Sequence, residues 1–126
     1  MSYIPPDAEW YLAEIVEEFR IAGESQNIVH TNLVLVRADS PDEAFERAEQ
    51  LGRELNMEYT NPEGKTVTVR YRGLRDLNVI HDKLEHGAEL IYQKDIGMTE
   101  EELEKWVSRK EELGVFGKYP TDGEHT

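Results

Sequence analysis

The sequence predicts an α+β domain: a four-stranded, mainly antiparallel sheet in the order β-β-α-β-β-α, with one helix packed on a sheet face. Three observations carry this. Ser40-Pro41-Asp42-Glu43 is a strong helix start, the alternation over residues 66–72 reads as a half-buried strand, and residues 27–38 are β-branched enough to be a second one.

The first segment, residues 10–21, supports two readings. Leu12, Ile15, Val16 and Phe19 follow helical spacing, while Tyr11, Ala13, Ile15, Phe19 and Ile21 alternate, broken only by Glu17. Gly23-Glu24-Ser25-Gln26 would join a strand here to the next as a hairpin. In residues 27–38, Leu33-Val34-Leu35-Val36 is apolar toward both faces, which fits a central strand covered twice. The helix over 41–56 opens with Ser40 as cap, Pro41 at the first helical position and Glu43 reaching back to the Ser40 amide. Ala44, Ala48, Leu51, Gly52 and Leu55 then make its apolar face, and the small residues among them imply close approach to a sheet. Asn61-Pro62-Glu63-Gly64 is a turn. The strand after it puts Val67, Val69 and Tyr71 on one face, with Thr68, Arg70 and Arg72 on the other. Residues 88–95 read as a weaker strand. A second helix over 99–113 opens with a capping box at Thr99 and Glu102, with Leu103, Trp106 and Val107 as its buried stripe. The expected organisation is an N-terminal extension at 1–8, a single domain at 9–97, a C-terminal helix at 98–116 packed on that domain or on a partner, and a flexible tail at 117–126.

Trp10-Tyr11-Leu12-Ala13, Leu35-Val36-Arg37-Ala38 and Ser40-Pro41-Asp42-Glu43-Ala44-Phe45, with the later Gly73-Leu74-x-Asp76-Leu77-x-x-Ile80 and Gly87-x-Glu89-Leu90, together resemble one small bacterial family. That family is catalogued as a domain of unknown function, number 4288 in its series. The resemblance covers about residues 9–95 and leaves the 99–113 helix outside. It implies a strand over 10–21 and implies no activity.

Charge narrows the partners. The chain has 126 residues with 14 Lys+Arg against 27 Asp+Glu, a net of −13. Residues 1–63 hold 4 basic and 14 acidic groups (4 − 14 = −10) and residues 64–126 hold 10 and 13 (10 − 13 = −3). Such a chain repels duplex nucleic acid and anionic lipid, whose nonspecific affinity rests on Lys and Arg contacts to phosphate. Having no cysteine excludes disulfides, thiolate zinc sites and cysteine nucleophiles. No signal-peptide pattern opens the sequence and no apolar run approaches a membrane span, so the expected location is the cytoplasm.

Few motifs point to chemistry. Gly64-Lys65-Thr66 imitates the end of a phosphate-binding loop, but position 59 is Tyr59 and the order is helix, turn, strand, the reverse of what such a loop needs. His81, Glu85 and His86 are weak metal candidates, without the spacing that sets two imidazoles one helical turn apart. Among many carboxylates Glu17 stands out, because it interrupts an apolar strand face; a strand bend or a cation partner is the plainer account. No serine lies in a Gly-x-Ser-x-Gly setting, so no catalytic residue is assigned and no cofactor is expected. Lys65, Arg70, Arg72 and Arg75 form a cationic island around Tyr71, which suits a single-stranded nucleic acid. The net charge favours cross-strand pairing instead, with Glu14 and Glu18 opposite Arg70 and Arg72.

The side chains expected to bind a partner are therefore Trp10, Glu14, Glu17, Arg70, Arg72 and Arg75. The function expected is a noncatalytic protein-interaction module, with a protein or a second copy of the chain as partner and neither nucleic acid nor membrane. An acidic inhibitor or immunity-type protein, and a small enzyme using carboxylates on the open sheet face, are the alternatives. The second sheet face needs a cover, and a twofold homodimer or the C-terminal helix would provide one.

Overall fold

A computed structural model describes residues 4 and 7–116; the tail expected at 117–126 and parts of the 1–8 extension lie outside the described residues. The chain divides into two compact units, one through Tyr92 and one from Gln93. The first holds β1 (Trp10–Ile21), β2 (Ile28–Arg37), α1 (Pro41–Arg53), β3 (Met57–Thr60) and β4 (Thr66–Val79). The strands lie in the order β2-β1-β4-β3 with every neighbouring pair antiparallel, and α1 packs on one face, so the fold is α+β.

Residues 10–21 form a strand because both neighbours, β2 and β4, satisfy their backbone. Their helix-like spacing arises from apolar residues on both faces. Tyr11, Ala13 and Ile15 are buried in the cluster with α1, and Leu12 is buried on the opposite face. The central strand is thus β1. The expectation that residues 27–38 lie at the centre is corrected: β2 is an edge strand whose odd-numbered side chains from Val29 to Leu35 are exposed.

α1 starts as its residues dictate. Ser40 Oγ accepts from the Glu43 amide at 3.1 Å, and Pro41 takes the first turn. Glu43 reaches back one residue further than expected, accepting from the Asp39 amide at 2.8 Å. Ala44, Ala48 and Gly52 face the sheet, where a Cβ on Gly52 would fall into the Tyr71 ring. Close approach of backbone to sheet is what those small residues permit.

β3 and β4 join through the Asn61 turn, where Asn61 Oδ1 accepts from the amides of Glu63 (3.0 Å) and Lys65 (2.9 Å). β3 is the fourth strand; residues 88–95 are not one. The Ala88 amide bonds to Glu85 O at 2.9 Å and the Glu89 amide to Asp82 Oδ2 at 3.0 Å, so local acceptors hold that segment as a loop.

The second unit contains α2 (Glu100–Trp106), opened by the expected Thr99–Glu102 capping box. It ends well before residue 113, because Val107 is extended and two 3₁₀ turns follow, at Lys110–Glu112 and Gly114–Phe116. A β-branched residue followed by serine favours leaving a helix. Leu103, Trp106 and Val107 are exposed, not the buried stripe expected of them.

Candidate interaction surface

Register assigns the faces. Trp10, Leu12, Glu14, Val16 and Glu18 of β1 stand on the face away from α1, opposite Arg37, Leu35, Leu33, Thr31 and Val29 of β2. On the other flank Glu18 pairs with Arg70, Val16 with Gly73, and Glu14 with Asp76. Two register shifts lie between these pairs, each absorbing one extra residue of β4: Arg72 between Tyr71 and Gly73, and Arg75 between Leu74 and Asp76. Single-residue bulges of this kind re-aim a side chain without ending the ladder.

Both bulge residues are cations aimed at β1 carboxylates. Arg72 Nη1 lies 3.1 Å from Glu18 Oε1, and Arg75 Nε lies 3.7 Å from Glu14 Oε1. Glu18 is buried and has two further partners, Asn27 Nδ2 at 2.6 Å and Arg20 Nη2 at 3.1 Å. The Asn27 hydrogen bond, with the Arg20 and Arg72 charges, outweighs burial and holds the Glu18 carboxyl below its ordinary range. Cross-strand pairing is therefore present, with a different partner set from the one expected. Glu14 is matched by Arg75, while Arg70 makes no ion pair among the described residues. Trp10 is half-buried; the Arg37 guanidinium lies 5.7 Å from its ring centroid and 2.9 Å from Glu9 Oε2.

Glu17 is not part of this face. It lies on the α1 side, buried, accepting from Asn32 Nδ2 at 2.7 Å with His30 Nδ1 at 3.7 Å. Its interruption of the apolar face marks a polar end to the core beyond α1, beside the β4 bulge at Arg72. On the same side the Tyr71 hydroxyl donates to Glu49, and burial, then that bond, pushes its phenol well above the ordinary value.

The metal candidates His81, Glu85 and His86 are exposed on the loop after β4, where the helical geometry that would set His81 over Glu85 is absent. Among the described residues no three His, Cys, Asp or Glu side chains gather to hold an ion. A cleft of about 360 Å³ lies where that loop passes the start of β1, lined by Asp7, Glu9, Trp10 and His81–Leu84. Two of its three carboxylates are engaged, Glu9 by Arg37 and Asp82 by the Glu89 amide.

Leu33 and Leu35, which the sequence marks as apolar toward a face that needs a cover, belong with Val29 to an aliphatic row on β2 that is not among the side chains expected to bind a partner. Leu33 is 64% exposed, Val29 53% and Leu35 43%. The run Leu33-Val34-Leu35-Val36, apolar toward both faces, reads as double coverage until the strand order is known.

Among the described residues no helix is long and apolar enough to cross a membrane. Neither the curated proteins nor the solved structures contain a match. A family model described as a domain of unknown function, DUF4288, matches residues 10–92, about two-thirds of the chain, and the chain belongs to that family.

Proposed function

We propose that this chain is a noncatalytic protein-interaction module whose working surface is the sheet face away from α1. The observation that carries the reading is the aliphatic row Val29, Leu33 and Leu35, exposed on a ten-residue strand of a packed sheet. Contiguous exposed apolar side chains bordered by charge are how interaction sites differ from ordinary surface. The border here is the Glu14–Arg75 and Glu18–Arg72 pairs on one side and Arg37 with Trp10 at one end. Proton donation by Glu18 is disfavoured, because Asn27, Arg20 and Arg72 lower its carboxyl and an ionised carboxylate is a poor proton donor near neutral pH. The partner suited to this face offers an apolar ridge and little negative charge of its own, since the chain carries −13.

The test is affinity capture from the cells that make the protein, using the native chain and Leu33→Asp in parallel. Leu33 is exposed enough for the substitution to leave the core intact, which circular dichroism checks. Proteins retained by the native chain and lost with Leu33→Asp support the reading; equal retention by both, or retention of nucleic acid alone, removes it.

A further inference from the structure

β2 and β3 are the two edges of the sheet, and they are managed differently. β3 has four residues, Met57–Thr60, one of them Glu58, and runs directly into the Asn61 turn. Short, charged edges resist pairing with other chains. β2 has ten residues, Ile-Val-His-Thr-Asn-Leu-Val-Leu-Val-Arg, with no proline, glycine, lysine or acidic residue, and its register with β1 runs without a bulge from Trp10↔Arg37 to Phe19↔Ile28. The protections that an edge strand can carry as proline, lysine, inward charge or a bulge are therefore missing from β2.

The phase of the ladder shows which backbone groups this edge offers. The Ala38 amide donates to Glu9 O at 3.0 Å, so Glu9 and Ala38 are a hydrogen-bonded pair. Alternation along an antiparallel ladder then turns the N–H and C=O of Val36, Val34, Asn32, His30 and Ile28 toward β1. Those of Arg37, Leu35, Leu33, Thr31 and Val29 point outward. The Ile80 amide donating to Trp10 O at 2.9 Å agrees, because it turns Trp10 toward β4 and away from Arg37. The outward carbonyl of Arg37 is occupied by Arg47 Nη1 at 2.7 Å. Among the described residues nothing bonds the outward groups of Val29, Thr31, Leu33 and Leu35.

We propose that β2 pairs antiparallel with β2 of a second copy of this chain, across a twofold axis at Asn32. That axis sets Thr31 opposite the partner subunit's Leu33 and Val29 opposite the partner subunit's Leu35, and the converse. All four open residues are used and Arg37 is left to Arg47. The match is self-complementary, as a twofold contact must be. It also joins the two aliphatic rows on the face away from α1 into one strip. Charge selects this edge for self-contact: two chains of −13 repel each other, and β2 is a stretch with no acidic residue, ending in Arg37. Screening that repulsion favours the pair, so association strengthens as salt is raised.

Sedimentation equilibrium of the full chain across a concentration series provides the first test. A 14.6 kDa chain moving to 2 × 14.6 = 29.2 kDa, more readily at high salt, is expected; a monomer throughout overturns the proposal. Thr31→Pro is the decisive variant, because the amide it deletes faces outward and no bond to β1 is lost. A folded, monomeric Thr31→Pro chain supports edge pairing, and a folded Thr31→Pro dimer overturns it in favour of a contact through the sheet faces. Should that variant fail to fold, amide exchange on the native chain decides. Protection of the Val29, Thr31, Leu33 and Leu35 amides that grows with concentration supports the pairing, and fast exchange at every concentration overturns it. The interaction-module reading is judged separately, because Leu33→Asp capture can fail while the edge still pairs.

Discussion

Arg72 reaches Glu18 to 3.1 Å although the register partner of Glu18 on β4 is Arg70. Arg72 is the extra residue of one bulge, and it takes Glu18 while Arg70 stays exposed with no ion pair among the described residues. Arg75 is the extra residue of the other, and it meets Glu14 at 3.7 Å. Each of these two β1 carboxylates thus has a bulge residue of β4 as its cation.

Glu18 should therefore leave a mark on acid stability. Its carboxyl, ordinarily near 4.5, is lowered by Asn27, Arg20 and Arg72 against the opposing effect of burial. A lowered folded-state value means the carboxylate contributes stability that is fully present above the ordinary value and lost as pH falls through the lowered one. Urea melts stepped from neutral pH into acid are expected to show the native chain losing its advantage over Glu18→Gln across that window. Parallel curves for the two proteins would show that the carboxylate is not tuned by the fold.

Duplex DNA or RNA is expected not to bind at physiological salt. Within the cationic island Lys65, Arg72 and Arg75 are matched by carboxylates, and Arg70 set against −13 offers too few phosphate contacts. A titration with micromolar binding and a steep salt dependence would contradict this.

Ser40→Ala is expected to cost about 1 kcal/mol, the usual value for an N-cap whose side chain holds a helix amide. The amide is that of Glu43, at 3.1 Å. Urea melts that superimpose on those of the native chain would show that the Asp39–Glu43 bond alone holds the helix start.

The elements with local signals were legible in the sequence. Ser40 with Glu43, Thr99 with Glu102 and the Asn61 turn are short-range devices, and each appears in the structure. Strand order was not legible, since Leu33-Val34-Leu35-Val36 has the composition of a doubly covered strand whether it lies at the centre or at the edge. The far half of β4 was hidden for a different reason. Leu74 and Leu77 stand three residues apart, a spacing alternation rejects, and the bulge at Arg75 sets both on the face that carries α1. The site residues divided along the same line. Glu14, Glu18, Arg72 and Arg75 come together through register and bulges, while Glu17, one residue from Glu18, faces the other side.

Two glycines separate steric from conformational control of this sheet. Gly52→Ala would gain about 1 kcal/mol from helix propensity alone. Its Cβ would fall into the Tyr71 ring, which the Glu49 hydrogen bond holds in place, so a net loss of about 1–2 kcal/mol is expected from overpacking. Gly73→Ala meets no atom within 4 Å, yet Gly73 has φ +133 between the two bulge residues, a conformation other residues rarely adopt. A loss of about 1–3 kcal/mol is expected there from backbone strain. Repeating both substitutions in a Tyr71→Leu background distinguishes the causes. Without the ring, Gly52→Ala should become neutral or stabilising, because only the propensity gain remains. Gly73→Ala should cost the same in both backgrounds, because its strain is local to the β4 backbone. Urea melts of the four variants measure this, and an unchanged Gly52→Ala penalty without the ring would show that α1 is held off the sheet by something other than Tyr71.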